Sequence, residues 1–123
     1  MKTMQEARLI IRTGEHGTDH DVVVKINGVR LVARSLAGGT DSGETMLSKL
    51  FIASVVHSLM LSHSGPGEWD VDYVEVFGLM DDTTVSYLKI QPEESLGDGR
   101  EISIWKAEPK APEAPPEASA FDV

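Results

Sequence analysis

The most constraining feature of this 123-residue sequence is the segment GGTDSGETMLSKLFIASVVHSLML, which spans residues 38–61. A glycine-rich entry leads into a long apolar run in which Lys49 is the only lysine or arginine. Asp41 stands three residues before Glu44, which is the spacing of a helix N-cap and its capping-box partner. The pattern predicts one long helix from about Ser42 to about Ser62, ended by the glycines and proline of HSGPGEWD.

This helix would have apolar side chains on nearly every face. A helix on a protein surface shows a charged face, whereas here only small serines and His57 interrupt the apolar positions. One sheet covers only one side of such a helix, so the other side needs a second layer. We therefore expect another subunit to cover it. A strongly curved six-stranded sheet that wraps the helix within a monomer is the alternative.

Two other interpretations do not match the residues of this segment. The apolar stretch from Met46 to Leu61 is shorter than the roughly 20 residues that a transmembrane helix needs. The glycines fit neither GxxxxGK[ST] nor GxGxxG, and Asp41 and Glu44 would repel a phosphate. We therefore expect neither a membrane span nor a phosphate-binding loop.

Runs of alternating or β-branched residues on both sides of the helix predict strands. The clearest is the hairpin DVVVKI-NG-VRLVARS, because Asn27-Gly28 is the preferred pair for a type I′ turn and places Ile26 opposite Val29. The other predicted strands are Ala7–Thr13, Trp69–Leu79, Thr83–Pro92 and Arg100–Ala107. The resulting order, βββ-α-βββ, predicts an α+β domain over residues 1–107, with a mostly antiparallel sheet packed on the apolar helix.

Residues 108–123, EPKAPEAPPEASAFDV, have a different composition. Pro, Ala and Glu dominate, so this stretch is expected to be an extended, partly polyproline tail. Phe121 close to the carboxylate of Val123 is typical of a docking peptide at the end of an arm. A passive solvated tail is the alternative.

Charge and cysteine content narrow the class of protein. The net charge of −9 argues against a broad nucleic-acid surface, because neutralising phosphates requires clustered Lys and Arg. The absence of cysteine excludes disulfides, thiolate metal ligands and cysteine nucleophiles. The N-terminal MKTMQEARLIIRTG lacks the apolar core of a secretion signal. We therefore expect a cytoplasmic protein, or a virion component, that binds no membrane.

The histidines and carboxylates suggest chemistry only weakly. His16 and His20, four residues apart with Asp19 beside His20, could form a metal site, but a solvated loop without a third histidine is the expected state. His57 is expected to be buried and hydrogen-bonded in the helix, and His63 to lie at the helix C-terminus, where a positive charge is favourable. No GxSxG elbow surrounds any serine. We therefore expect no catalytic residue, no metal and no cofactor.

The residues expected to bind a partner come from three places. Lys25, Arg30 and Arg34 share the outer face of the hairpin as the only evident cluster of positive charge, with no aromatic residue among them for nucleic-acid stacking. The apolar helix and the tail supply the rest. The predicted partner-binding residues are Lys25, Arg30, Arg34, Leu47, Phe51, Val55, Phe121 and Val123.

Together these features predict a non-catalytic protein-interaction or assembly subunit, a homo-oligomer whose tail lies on a neighbour. A structural component of a phage or phage-like particle is the example we expect. One alternative is a small acidic inhibitor or adaptor that occupies a basic groove on a host protein. Another is a small ligand-binding domain or enzyme that uses His57 and the strand carboxylates.

Overall fold

The computed structural model describes residues 2–97 and 100–106, and these residues form strands but no helix. The strands are β1 (Met4–Thr13), β2 (Val22–Ile26), β3 (Val29–Val32), β4 (Ser35–Ala37), β5 (Thr45–Ser54), β6 (Ser58–His63), β7 (Val71–Met80), β8 (Val85–Ile90) and β9 (Ile102–Lys106). They form two antiparallel sheets. Sheet A has the order β4-β5-β1-β7-β8, and sheet B has the order β3-β2-β6-β9.

The core lies between the two sheets. In β1, alternate residues such as Ala7, Leu9 and Ile11 are fully buried, while Arg8 between them is exposed. This period of two is what a strand with one face against a core requires. Sheet B closes the other side of the core with apolar residues that include Leu59, Leu61 and Ile104, each 0% exposed.

The predicted long helix is wrong, and with it the α+β class: the described residues are all-β. The same segment forms β5 in sheet A and β6 in sheet B, and the three residues between them cross from one sheet to the other. In β5, Met46, Ser48 and Leu50 are buried. The intervening Leu47 and Phe51 face outward, because successive side chains of a strand point to opposite faces. Both faces of β5 are apolar, which is why the sequence resembled an all-round apolar helix.

Half of the predicted capping box forms, and it lies in a turn and not at the start of a helix. The Glu44 side chain accepts a hydrogen bond from the Asp41 amide (N···Oε1 3.0 Å), and the Glu44 amide donates to the Asp41 carbonyl oxygen (2.9 Å). The chain then enters β5. Gly38, with φ of 75°, precedes this turn, and a Cβ there would collide with the carbonyl oxygen of Thr45. The glycines therefore let two backbone segments approach, and a strand follows them.

The predicted hairpin is confirmed. Asn27 and Gly28 have φ values of 51° and 85°, as a type I′ turn requires, and Ile26 pairs with Val29. The Asn27 side chain also reaches the crossing between the sheets. Its Nδ2 donates to the Val55 carbonyl oxygen (2.8 Å), and its Oδ1 accepts from the amides of His57 (2.6 Å) and Ser58 (3.2 Å).

The remaining strands agree with the alternating patterns, with shifted ends: β1 begins earlier than expected, at Met4, and β7 ends at Met80. Trp69 precedes β7 and forms an isolated bridge with Leu96. Among the described residues there is no helix long and apolar enough to cross a bilayer. The predicted domain end at residue 107 and the tail of residues 108–123 lie outside the described residues.

Candidate interaction surface

The outward face of sheet A is a continuous mixed apolar and charged surface, here called the A face. Strand register places its residues in rows across four strands, for example Lys49, Arg8, Phe77 and Tyr87. The A face consists of Glu6, Arg8, Ile10, Arg12, Leu47, Lys49, Phe51, Tyr73, Glu75, Phe77, Leu79, Val85, Tyr87 and Lys89.

Large apolar side chains on the A face are open to solvent. Phe51 is 79% exposed, Val85 61% and Tyr87 52%. A depression of about 450 Å³ lies between the strands, lined by Glu6, Arg8, Ile10, Leu47, Phe77, Leu79 and Val85. Contiguous exposed apolar residues with a polar surround are typical of interaction sites on soluble proteins.

The charges on the A face are arranged around its aromatic rings. The Glu6 carboxylate forms an ion pair with Arg8 (Nε···Oε2 2.8 Å), and its Oε1 lies 3.9 Å from the Lys49 Nζ. The Lys49 Nζ is also 5.4 Å from the centre of the Phe51 ring, and the Lys89 Nζ is 4.6 Å from the centre of the Tyr73 ring. These distances are within the range of cation–π attraction.

Tyr87 is held in place on the A face by two contacts. Its hydroxyl donates to Glu75 (Oη···Oε2 2.6 Å), and its ring lies 4.9 Å from that of Phe77 at an angle of 42°. The hydrogen bond to Glu75 raises the pKa of the Tyr87 hydroxyl above its ordinary value of 10.0. The neutral phenol is therefore the form that this surface presents to a partner.

The predicted partner-binding residues fall on opposite sides of the molecule. Leu47 and Phe51 lie on the A face, on either side of Lys49 in β5. Lys25 and Arg30 face each other across β2 and β3 in sheet B, and Lys25 pairs with Glu101 (Nζ···Oε2 2.8 Å). They do not form one site with β5.

The other three predicted residues join neither group. Arg34 is exposed between β3 and β4. Val55 is half-buried in the crossing between the sheets, where its carbonyl oxygen accepts the Asn27 hydrogen bond. Phe121 and Val123 lie outside the described residues.

Sequence reasoning missed most of the A face. The hairpin was taken as the only cluster of positive charge, yet register collects Arg8, Arg12, Lys49 and Lys89 on one face. The alternation in RLIIRT and in VSYLKI pointed to outward residues on each strand. Nothing in the sequence showed that these strands are neighbours of the segment taken as a helix.

His16 and His20, weighed above as a possible metal pair, have different partners in the structure, and His20 lies near the His63 ring. His16 contacts Asp70 at two atoms. The Asp70 Oδ2 accepts a hydrogen bond from the His16 amide (3.1 Å) and lies 2.8 Å from the His16 Nδ1. Ligand atoms of Glu15, His16 and Asp70 lie within 4.8 Å of one another, which is close enough for a shared cation. The hydrogen bond with Asp70 raises the pKa of His16 above its ordinary value of 6.5, which favours the protonated ring in this exposed pair.

The two histidines assigned to the helix have other positions. His57 is exposed in the crossing between the sheets rather than buried. His63 is buried at the end of β6, where its Nε2 lies 3.0 Å from the Leu96 carbonyl oxygen and its Nδ1 2.9 Å from Thr18 Oγ1. Because a carbonyl only accepts, Nε2 is the donor in its contact with Leu96. This histidine is a structural member of the core.

The described strands define the protein as a two-sheet antiparallel β-sandwich with one open, mixed apolar and charged sheet face. A scan against protein-family models finds no match, and a search of curated proteins finds none with significant similarity.

Proposed function

We propose that this protein is a non-catalytic assembly subunit that associates with further copies of itself through the A face. The observation that supports this proposal most directly is the exposure of Phe51, Val85 and Tyr87 on one sheet face. A larger assembly, such as a phage or phage-like particle, is the setting that suits such a subunit.

The size of the A face suits a dimer. Strands β1, β5 and β7 have 10 residues each, which at about 3.3 Å per residue gives a length of roughly 33 Å. Four strands at a spacing of about 4.8 Å give a width of roughly 19 Å. The product, roughly 630 Å², would bury about 1,260 Å² in a face-to-face dimer, above the ~1,000 Å² expected of a specific interface.

The composition of the A face also suits a protein contact. Aromatic residues and arginine are enriched where interfaces derive their affinity, and Phe51 provides the most exposed aromatic side chain of this surface. Phe51 lies opposite Glu6 and two residues from Lys49 in β5, and both charged side chains can form the polar contacts of an interface rim. The proposal therefore makes Phe51 the residue on which association depends most.

Sedimentation velocity from micromolar to millimolar concentration tests this proposal. Phe51→Ser should weaken self-association at least tenfold, which is about 1.4 kcal/mol. Val29→Ser is the control, because Val29 is also apolar and 66% exposed but lies on sheet B. Equal association of the Phe51→Ser variant and the natural sequence would refute the proposal. The proposal would also be refuted if every variant were monomeric at every concentration, including the variants of residues 107–123 introduced below.

A further inference from the structure

The A face has a charge opposite to that of the chain. It has more basic than acidic side chains, although the net charge of the whole protein is −9. The basic residues are Arg8, Arg12, Lys49 and Lys89, and the acidic residues are Glu6 and Glu75. Arg8 and Lys49 contact Glu6, whereas Arg12 and Lys89 form no salt bridge with any carboxylate of the described residues.

The sequence that follows β9 is complementary to this face. Residues 107–123, AEPKAPEAPPEASAFDV, contain four acidic side chains and a single lysine. They also contain four prolines and one aromatic residue, Phe121. Proline-rich segments bind grooves lined by aromatic side chains, because little conformational entropy is lost when they bind.

Strand pairing shows where this segment starts. Lys106 pairs with Ser58, which follows Ser54 across the sheet crossing. Ser54 pairs with Met4, and Met4 pairs with Met80. Lys106, the last described residue, therefore lies at the end of the sandwich that contains the row of Phe51, Glu6, Leu79 and Val85.

The segment is long enough to cross the A face of its own molecule. Its 17 residues (107–123) at about 3.1 Å per residue reach roughly 50 Å in a polyproline conformation. The A face is only about 19 Å wide by the strand spacing used above. Contacts also occur between β8 and β9, so the two sheets approach each other at the side from which the chain continues.

We propose that residues 107–123 bind intramolecularly across the A face. Phe121 enters the depression beside Phe77, Leu79 and Val85, and the carboxylates of the segment lie near Arg12 and Lys89. The contact itself does not depend on the proposed function, but its consequence for self-association does. A tethered segment has an effective concentration in the millimolar range, so it competes with a second copy for the same face and weakens self-association.

Single-stranded nucleic acid is the competing ligand class, because a sheet with aromatic and basic residues can stack bases. The arrangement favours the peptide. Glu6 lies beside two of the four basic residues, Arg8 and Lys49, and contacts both. Glu75 binds the Tyr87 hydroxyl. A phosphate on every nucleotide would bring negative charge close to both carboxylates, whereas the acidic side chains of residues 107–123 are four or five residues apart.

Paramagnetic relaxation enhancement in the full chain tests the contact. Because the protein has no cysteine, a nitroxide on Ser119→Cys reports on residues 107–123 alone. At a concentration where the chain is monomeric, the amide signals of Leu47, Phe77 and Tyr87 should broaden. The amides of His16 and Thr18, in the loop at the end of the sandwich opposite Lys106, should not.

Two comparisons make the result decisive. A mixture of spin-labelled, unenriched protein with unlabelled, ¹⁵N-enriched protein shows only intermolecular contacts, and no broadening is expected there. Phe121→Ser in the labelled chain should remove the broadening, whereas the control Ala118→Ser should retain it. Broadening only in the mixture, on other residues, or nowhere would overturn the inference. If no broadening occurs, and adding a dT oligonucleotide changes the amide chemical shifts of A-face residues, the face would be assigned to nucleic acid.

Sedimentation of the same variants tests the consequence. Phe121→Ser should strengthen self-association at least about fivefold, the lower end of usual coupling effects between ligands. Unchanged association in this variant, together with loss of association in Phe51→Ser, would refute the competition and leave the proposed function standing. Failure of both variants to change association would refute both.

Discussion

The Asn27 side chain should contribute measurably to stability through its contacts with the sheet crossing. It makes three hydrogen bonds to the backbone of Val55, His57 and Ser58. The residue is exposed, so water replaces part of each lost bond, and a net value of roughly 0.5–1 kcal/mol per bond is appropriate. Asn27→Gly should therefore lower the free energy of unfolding by about 1.5–3 kcal/mol.

Glycine is the informative substitution because it separates two roles of this residue. Asn27 has φ of 51°, and glycine adopts that conformation without steric cost. A loss of stability in Asn27→Gly thus reports mainly the side-chain bonds, with a smaller part from the greater freedom of glycine in the unfolded chain. Asn27→Asp should lose less, since a carboxylate still accepts from the His57 and Ser58 amides but cannot donate to the Val55 carbonyl oxygen.

Urea unfolding followed by fluorescence and circular dichroism provides the assay, with coincident transitions as the check on two-state behaviour. The expected order of stability is the natural sequence, then Asn27→Asp, then Asn27→Gly. An Asn27→Gly variant as stable as the natural sequence would refute the reasoning, because the Asn-Gly pair would then serve the hairpin turn alone.

Two further predictions concern other parts of the fold. Ala53 has φ of 55°, a conformation that glycine adopts more easily, so Ala53→Gly should raise the free energy of unfolding by about 0.5–1 kcal/mol in the same assay; a less stable variant would contradict this. The Asp70 hydrogen bond raises the pKa of His16, so this ion pair stabilises the fold below pH 6.5, and the contribution is lost as pH rises through the folded pKa. An NMR titration of the His16 ring should show the pKa returning towards 6.5 in Asp70→Asn, and an unchanged titration would exclude the pairing.

Local patterns predicted some elements and failed for others, for physical reasons. The β2–β3 hairpin could be predicted because Asn27-Gly28 and two flanking strands contain all the information that a type I′ turn needs. The two strands formed by residues 45–63 could not be predicted from local patterns. Met, Leu, Lys and Ala are good helix formers, and the Asp41–Glu44 capping contact that precedes them also occurs in this turn. What determines β5 is its pairing with β1, about 40 residues earlier in the chain.

The candidate surface was accessible from the sequence only in part. Leu47 and Phe51 were selected because they were apolar and lacked a covering layer, and both lie on the A face. The reason given was a helix, so the positive residues were sought on the hairpin, which lies in the other sheet. Tyr73, Phe77 and Tyr87 were not considered, since only the register of β7 with β1 and β8 brings them together.

The position of β1 has a consequence for the order in which the molecule assembles during synthesis. It is the first strand of the chain and the central strand of sheet A, between β5 and β7. Its apolar residues Leu9 and Ile11 have no neighbouring strand until residue 45 and no second neighbour until residue 71 have been made. Such distant pairings slow folding and leave apolar strands exposed meanwhile. The β2–β3 hairpin, whose contacts are local, can form long before sheet A exists.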